Sequence, residues 1–210
     1  MMSIETWMYY LLAVLILTAS PGPSSLLCMT KAVSSGFKLS IFTALGSLTA
    51  ITGILTLSFT GLGVLIASSE MVFNIVKWTG AAYLVYLGWK ALTSTQESYQ
   101  IDGQAQPDNV KRIAHFTSGF IVGASNPKAI LFFTALFPQF IDPNASLLAQ
   151  YAVFATTFAC MELSWLLFYA YLGSKSSNWI LAKGRAKLFN KLTGGVFMSA
   201  GILLSTTSRS

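Results

Sequence analysis

The 210-residue chain is 54% hydrophobic and only 10% charged, with a mean hydropathy of +0.63, a balance that excludes an ordinary water-soluble domain and describes an all-α polytopic membrane protein. Its net charge of +6, from 13 Lys and Arg against 7 Asp and Glu, is dispersed among apolar runs without a basic helix or aromatic platform, which excludes nucleic acid as a partner. Two isolated cysteines, Cys28 and Cys160, and a single histidine, His115, argue against a redox relay, a metal site or a bound cofactor.

A bilayer core needs roughly 20 apolar residues per helix, and six runs meet that need. The first, residues 6–30, is uncharged; with no basic leading segment and no small-residue cleavage site, it reads as a retained helix and not a removed signal. The second, 39–69, is also uncharged. The third, 72–92, has Lys77 near its start, and its Trp78, Tyr83, Tyr86 and Trp89 read as interfacial belts and helix packing. A polar stretch rich in Gln, Ser, Asp, Gly and Pro, about 94–111, is expected to be a cytoplasmic linker between halves 1–93 and 112–210 of one transmembrane domain. The fourth run, 113–141, opens near His115, read as a solvated loop residue, and contains Lys128; the fifth, 147–173, contains Glu162; the sixth, 188–205, contains Lys191. Lys77 and Lys191 must snorkel, so a five-span chain with the third or sixth run at the interface is the alternative. Gly46 with Ala50, and Gly195 with Ser199, read as small-residue helix contacts, and such faces are compatible with a homodimer.

Basic residues orient the chain. The first, third and fifth connections carry Lys31 and Lys38; Lys90, Lys111 and Arg112; and Lys175, Lys183, Arg185, Lys187 and Lys191, whereas the opposite side has Lys77 and Arg209. The excess of Lys and Arg on the cytoplasmic side then places both termini outside.

Prolines interrupt apolar runs in two polar segments, Thr18-Ala19-Ser20-Pro21-Gly22-Pro23-Ser24-Ser25 and Gly123-Ala124-Ser125-Asn126-Pro127-Lys128. Proline lacks an N–H and clashes with the preceding turn, so each segment is expected to break its helix and release backbone groups inside the bilayer. Pro21 lies 14 residues past Trp7 and Pro127 lies 14 past Ile113, each about 21 Å along a helix. Halves of three helices enter the membrane from opposite sides, so matching breaks in the first and fourth helices point to two inverted three-helix repeats, with a binding site where the breaks meet. Half-helices starting after Pro23 or Pro127 offer N–H groups to a carboxylate; Ser24, Ser25 and Asn126 add polar side chains, and the released carbonyls suit an ammonium group. The bland reading is a pair of kinks resolved by neighbouring helices.

Lys128 is the odder residue, because a cation at a helix N-terminus is disfavoured unless an anion is present; it is expected to neutralise a substrate carboxylate, pair with Glu162 or snorkel outward. Glu162 lies 15 residues past Leu147, at mid-membrane, where a carboxylate costs about 2.5–3.5 kcal/mol on insertion scales. It is a candidate proton carrier, with a structural ion pair or a hydrogen-bonding acid as the alternative. Trp165 and Tyr169 share its helical spacing and read as packing more readily than as ligands.

Pro21-Gly22-Pro23, the stretch Lys77-Trp78-Thr79-Gly80-Ala81-Ala82-Tyr83-Leu84-Val85-Tyr86-Leu87-Gly88, and Asn126-Pro127-Lys128-Ala129 followed by Leu136-Phe137-Pro138-Gln139-Phe140-Ile141 resemble the lysine exporter (LysE/RhtB) family of bacterial amino-acid effluxers, nearest its homoserine, homoserine lactone and threonine branch. The resemblance implies a bacterial inner-membrane exporter of a small amino acid, driven by proton exchange, with Pro21, Gly22, Pro23, Asn126, Pro127 and Lys128 carried over by motif and Glu162 matching an acid usual in the fifth helix. Many relatives have a further acid in the second helix where this chain has Ala50-Ile51, so either Glu162 couples protons alone or the coupling ion differs. The scarcity of charge favours a neutral or zwitterionic solute over a dibasic one. An intramembrane enzyme needs a nucleophile with its base or a metal cluster, and neither pattern is present. A passive channel, a membrane partner subunit, or an exporter of a cysteine metabolite, dipeptide or cation is the alternative function.

Overall fold

A computed structural model describes residues 3–61, 70–93, 108–142, 144–180 and 185–206, and these are helical with no strand among them. The chain starts with α1 (Ile4–Ala19), capped by the Ser3 hydroxyl accepting from Thr6 N–H, and α2 (Pro23–Ser35). Then come α3 (Phe37–Phe59), α4 (Glu70–Thr93) and α5 (Asp108–Ala124). A short α6 (Pro127–Leu131) runs into a π-helical turn, Phe132–Leu136, and a 3-10 turn, Phe137–Phe140. The long α7 (Leu147–Ile180) and α8 (Arg185–Thr206) complete the order.

Two of these helices, Phe37–Phe59 and Leu147–Ser177 within α7, are each long and apolar enough to cross a membrane, and α1 with α2, bent by 45° at their junction, form a third such unit. The first helix is therefore broken where the prolines predict. The second run ends earlier than expected: α3 stops at Phe59, and Gly61 takes φ 71°, a left-handed conformation that suits glycine and closes a helix. Gly36, at φ 83°, turns α2 directly into α3. The fourth run begins sooner, since α5 takes in residues 108–111 of the predicted linker; the remainder of that linker lies outside the described residues. The fifth helix continues past 173 to Ile180.

Packing pairs the helices in a definite way. The first broken unit runs alongside α7 in the same direction, with Tyr10 donating to the Phe154 carbonyl at 3.0 Å and, further along, the Met29 carbonyl lying on Gly173 of α7. α5, which leads into the second proline break at Pro127, runs alongside α3, also in parallel, while α4 and α8 pair antiparallel, Gly88 meeting Met198 and Gly194 meeting Leu92. The α3–α5 contact is backbone to backbone: a Cβ on Gly46 falls 2.0 Å from the Phe116 carbonyl oxygen, and one on Gly119 falls 2.0 Å from that of Thr43. Of the two small-residue contacts expected, Gly46 is therefore found. Gly195 faces open space, and its neighbour Gly194 makes the α8 contact instead, one residue turning the helix face by about 100°.

That close approach overturns the reading of His115. It is buried, 6% exposed, with Nδ1 3.1 Å from the Thr43 hydroxyl, because α5 starts early enough to bring the imidazole into the α3 contact. The aromatic belt divides: Trp78, Tyr86 and Trp89 are exposed, whereas the Tyr83 hydroxyl lies 3.2 Å from that of Ser118 on α5. Lys191 is exposed, and the Lys77 side chain lies outside what the structure describes.

The largest buried cluster sits at the N-terminal end of α1. Tyr10, Phe133, Phe137, Phe154 and Phe158 are fully buried there against Ile51 and Leu55 of α3, with edge-on contacts such as Phe133 to Phe158 at 5.1 Å between centroids, a geometry that ring quadrupoles favour. The irregular turn beside this cluster has a local cause. Pro138 offers no N–H to the backbone before it, and Phe137 N–H closes a π-type ring on the Phe132 carbonyl. The Phe133 carbonyl is left over, and the Ser58 hydroxyl donates to it.

Gly119→Ala places a methyl group against α3 backbone that cannot yield, and is expected to destabilise the protein by about 1–3 kcal/mol. Gly195→Ala, with open space around it, should leave thermal unfolding in detergent unchanged, and equal melting of the two variants removes the close-contact assignment.

Candidate functional site

Each proline frees the carbonyl four residues before it, since that oxygen's helical donor is missing. At the first break Pro21 frees Leu17 and Pro23 frees Ala19. Ser20 and Gly22 adopt extended backbone, ψ 131° and −175°, as residues preceding proline prefer, so the helix cannot resume before α2.

Side chains from elsewhere meet the freed oxygens. Lys128 Nζ donates to the Leu17 carbonyl at 2.6 Å and the Ser20 carbonyl at 2.7 Å, and lies 3.2 Å from Ser20 Oγ. The Tyr169 hydroxyl of α7 donates to the Ala19 carbonyl at 2.8 Å. On the other side of the break, Gly22 N–H donates to Ser25 Oγ at 3.0 Å, so Ser25 supplies the cap that α2 needs.

At the second break, Asn126 caps α6: its Oδ1 accepts from Lys128 N–H at 3.2 Å, and its own N–H returns to the Gly123 carbonyl at 3.2 Å, the oxygen that Pro127 frees. The Asn126 amide then crosses to the first break, donating from Nδ2 to Ser24 Oγ at 3.2 Å. Ser24, Ser25 and Asn126 are all at least nine-tenths buried. Gly22 lies beneath Lys128, where a Cβ would sit 3.3 Å from Nζ.

The structure thus brings Gly22, Pro23, Ser24, Ser25, Asn126, Pro127 and Lys128 into one place. Pro21 is different: its ring is exposed, so it contributes through the carbonyl it releases and not by contact. Lys128 neither forms a salt bridge with Glu162 nor snorkels outward. Its backbone begins α6, but its side chain reaches across to the C-terminus of α1, where the negative end of the helix dipole favours a cation. Glu162 is 7% exposed and within electrostatic reach of Lys128 and Cys28, yet among the described residues it has no hydrogen-bond or salt-bridge partner. Ala50 and Ile51 are buried in apolar surroundings.

Leu17, Ser20 and Tyr169 join the site without having been singled out as ligands. Counting four residues back from each proline identifies the Leu17 and Ala19 oxygens in the sequence. Tyr169 follows Glu162 by two helical turns and shares its face; nothing in one sequence separates that from packing.

A broken helix with polar residues meeting at the break inside an apolar bundle is an arrangement that membrane translocators use. The chain belongs to the LysE type translocator family, whose model matches residues 15–208. It is 34% identical over 208 residues, 98% of each chain, to a homoserine/homoserine lactone efflux protein of Salmonella typhimurium, and equally to that of Salmonella typhi. An uncharacterized membrane protein of Vibrio cholerae is 31% identical over 211 residues, again 98% of each chain. No solved structure matches the chain.

Tyr169→Phe removes one hydroxyl and leaves the part-buried Ala19 oxygen without this donor, an expected loss of about 0.5–1.5 kcal/mol. A melting curve indistinguishable from the native protein's would mean that another donor takes over.

Proposed function

We propose that this protein exports a small amino acid or derivative, of the homoserine, homoserine lactone or threonine kind, across the bacterial cytoplasmic membrane in exchange for protons. The observation that carries the reading is the meeting of the two breaks, Asn126 to Ser24 and Lys128 to the end of α1, in a chain whose relatives are named as homoserine and homoserine lactone efflux proteins. Substrate binds among Gly22, Pro23, Ser24, Ser25, Asn126, Pro127 and Lys128, with Pro21 shaping the break. Its carboxylate lies toward the start of α2, and its ammonium lies toward the carbonyls that end α1.

Six spans arranged as inverted repeats of residues 1–93 and 112–210 agree with the packing, and the distribution of Lys and Arg supports both termini outside. The first broken unit runs parallel to α7 and α5 parallel to α3, and α4 opposes α8, as alternating crossings require. The buried aromatic cluster around Tyr10 and Phe154 lies at one end of the site, and the backbone contacts at Gly46, Gly119 and Gly173 lie toward the other. Alternating access opens one closure at a time. Substrate and proton drive the change only through unequal affinity for the two states.

Glu162 carries the proton. It is buried, without a hydrogen bond among the described residues, and close enough to Lys128 for the two charges to interact. A carboxylate at mid-membrane without a fixed partner is a functional residue by default. Purified protein in liposomes preloaded with labelled homoserine, threonine, leucine or lysine is expected to show saturable efflux of a neutral amino acid, accelerated by an imposed proton gradient. Glu162→Gln should fold and insert but lose that acceleration altogether. Normal gradient-driven efflux by this variant removes the proton-carrier role, and flux that never saturates favours a passive channel.

A further inference from the structure

We infer that the carbonyl end of α1 is an ammonium site whose resident occupant is the protein's own Lys128, and that the ammonium group of a transported amino acid takes its place. The inference rests on the function proposed above and specifies how its substrate is held.

Lys128 Nζ is surrounded by three oxygen acceptors, the carbonyls of Leu17 and Ser20 at 2.6 and 2.7 Å and Ser20 Oγ at 3.2 Å. A primary ammonium has three N–H donors, so the match is complete, and the α-ammonium of an amino acid is chemically the same group. The oxygens are available because Pro21 gives Leu17 no backbone donor and because the chain is extended at Ser20. Leu17 keeps the Ser20 hydroxyl as a second donor at 3.1 Å, so the Ser20 carbonyl is the one left without a donor when the lysine leaves; an unpaired carbonyl away from water is costly, and the cradle calls for an N–H donor in every state. A tethered lysine meets that need when no substrate is bound.

The lysine is also free to leave. Its amine arrives by a flexible four-carbon stem passing over Gly22, which presents no side chain, and Lys128 is only half-buried. Its charge already interacts with Glu162 from its present position, and once displaced it is free to meet the carboxylate of the solute that displaced it. A zwitterion therefore satisfies both positions, its ammonium on the α1 carbonyls and its carboxylate on the released lysine. A solute with an ammonium but no carboxylate satisfies only the first.

The test is chemical rescue in detergent, without transport. Lys128→Ala empties the cradle and leaves space for a small alkylammonium. Ethylammonium at ten times its Kd is expected to raise the melting midpoint of this variant by about 4 °C, with no comparable rise in the native protein, whose cradle is filled. Tetramethylammonium, equally charged but without N–H donors, should give no rescue. No shift with ethylammonium, an equal shift with both cations, or an equal shift in the native protein overturns the assignment.

Should Lys128→Ala fail to fold, the Nζ resonance of Lys128 in native protein labelled with 15N-lysine gives a second readout. Threonine, which has both the ammonium and the carboxylate, should shift that resonance by moving the lysine off the carbonyls, and threonine amide should shift it less; an unchanged resonance with threonine overturns the assignment. Absence of amino-acid efflux from liposomes removes the transport reading and leaves the rescue standing, whereas loss of rescue with efflux intact removes only the role given to Lys128.

Discussion

A backbone carbonyl in a lipid-facing bundle must have a donor, and proline withholds one. Most of what distinguishes this protein follows from that constraint. Pro21 and Pro23 release the Leu17 and Ala19 oxygens, and Lys128 and Tyr169 come from two other helices to meet them. Pro127 releases Gly123, which is met locally by Asn126 N–H, and that short return turns the Asn126 amide toward Ser24. The irregular turn at Phe132–Leu136 leaves the Phe133 oxygen over, and Ser58 of α3 takes it. Each shortage of a donor thus becomes a tie between elements far apart in sequence.

The glycine contacts set where those ties fall. With α5 lying against α3 at Gly46 and Gly119, the end of α5 is brought to the depth of Ser47 and the second break lies over the first. The same approach carries His115 into the interior opposite Thr43. Most polar residues in this interior stay tolerable because they find a neighbour within hydrogen-bond reach. Among the described residues the hydroxyls of Ser47 and Thr193 and the Glu162 carboxyl stand apart from that pattern, and of these only Glu162 can carry a charge.

Much of this was legible in the sequence. Proline chemistry is local, so the breaks at residues 20–23 and 125–127 could be placed by inspection, as could the polar set around them. The destinations of side chains were not legible. Lys128 follows a proline at a helix start, yet its long stem spans the gap between two breaks, and only the packing of α5 on α3 decides that it ends on α1. His115 failed for a related reason: its neighbours in sequence are polar and basic, while its neighbours in space belong to another helix. Gly194 and Gly195 are indistinguishable by composition and separated only by helix phase. The run 39–69 is apolar throughout, so its hydropathy gave no sign that α3 closes at Gly61.

The polar point at the end of α1 is mostly main chain: of the oxygens that Lys128 and Tyr169 meet, only Ser20 Oγ belongs to a side chain. Replacing the side chains of Leu17 or Ala19 leaves their oxygens in place, so a substitution scan from Ile4 to Ala19 would pass over that point without registering it. The residues that report it are those that withhold a hydrogen, Pro21 and Pro23, and those that supply one, Lys128 and Tyr169. Chemistry built this way can persist while the letters around it drift, and its trace in a sequence is a spacing of prolines rather than a set of ligands.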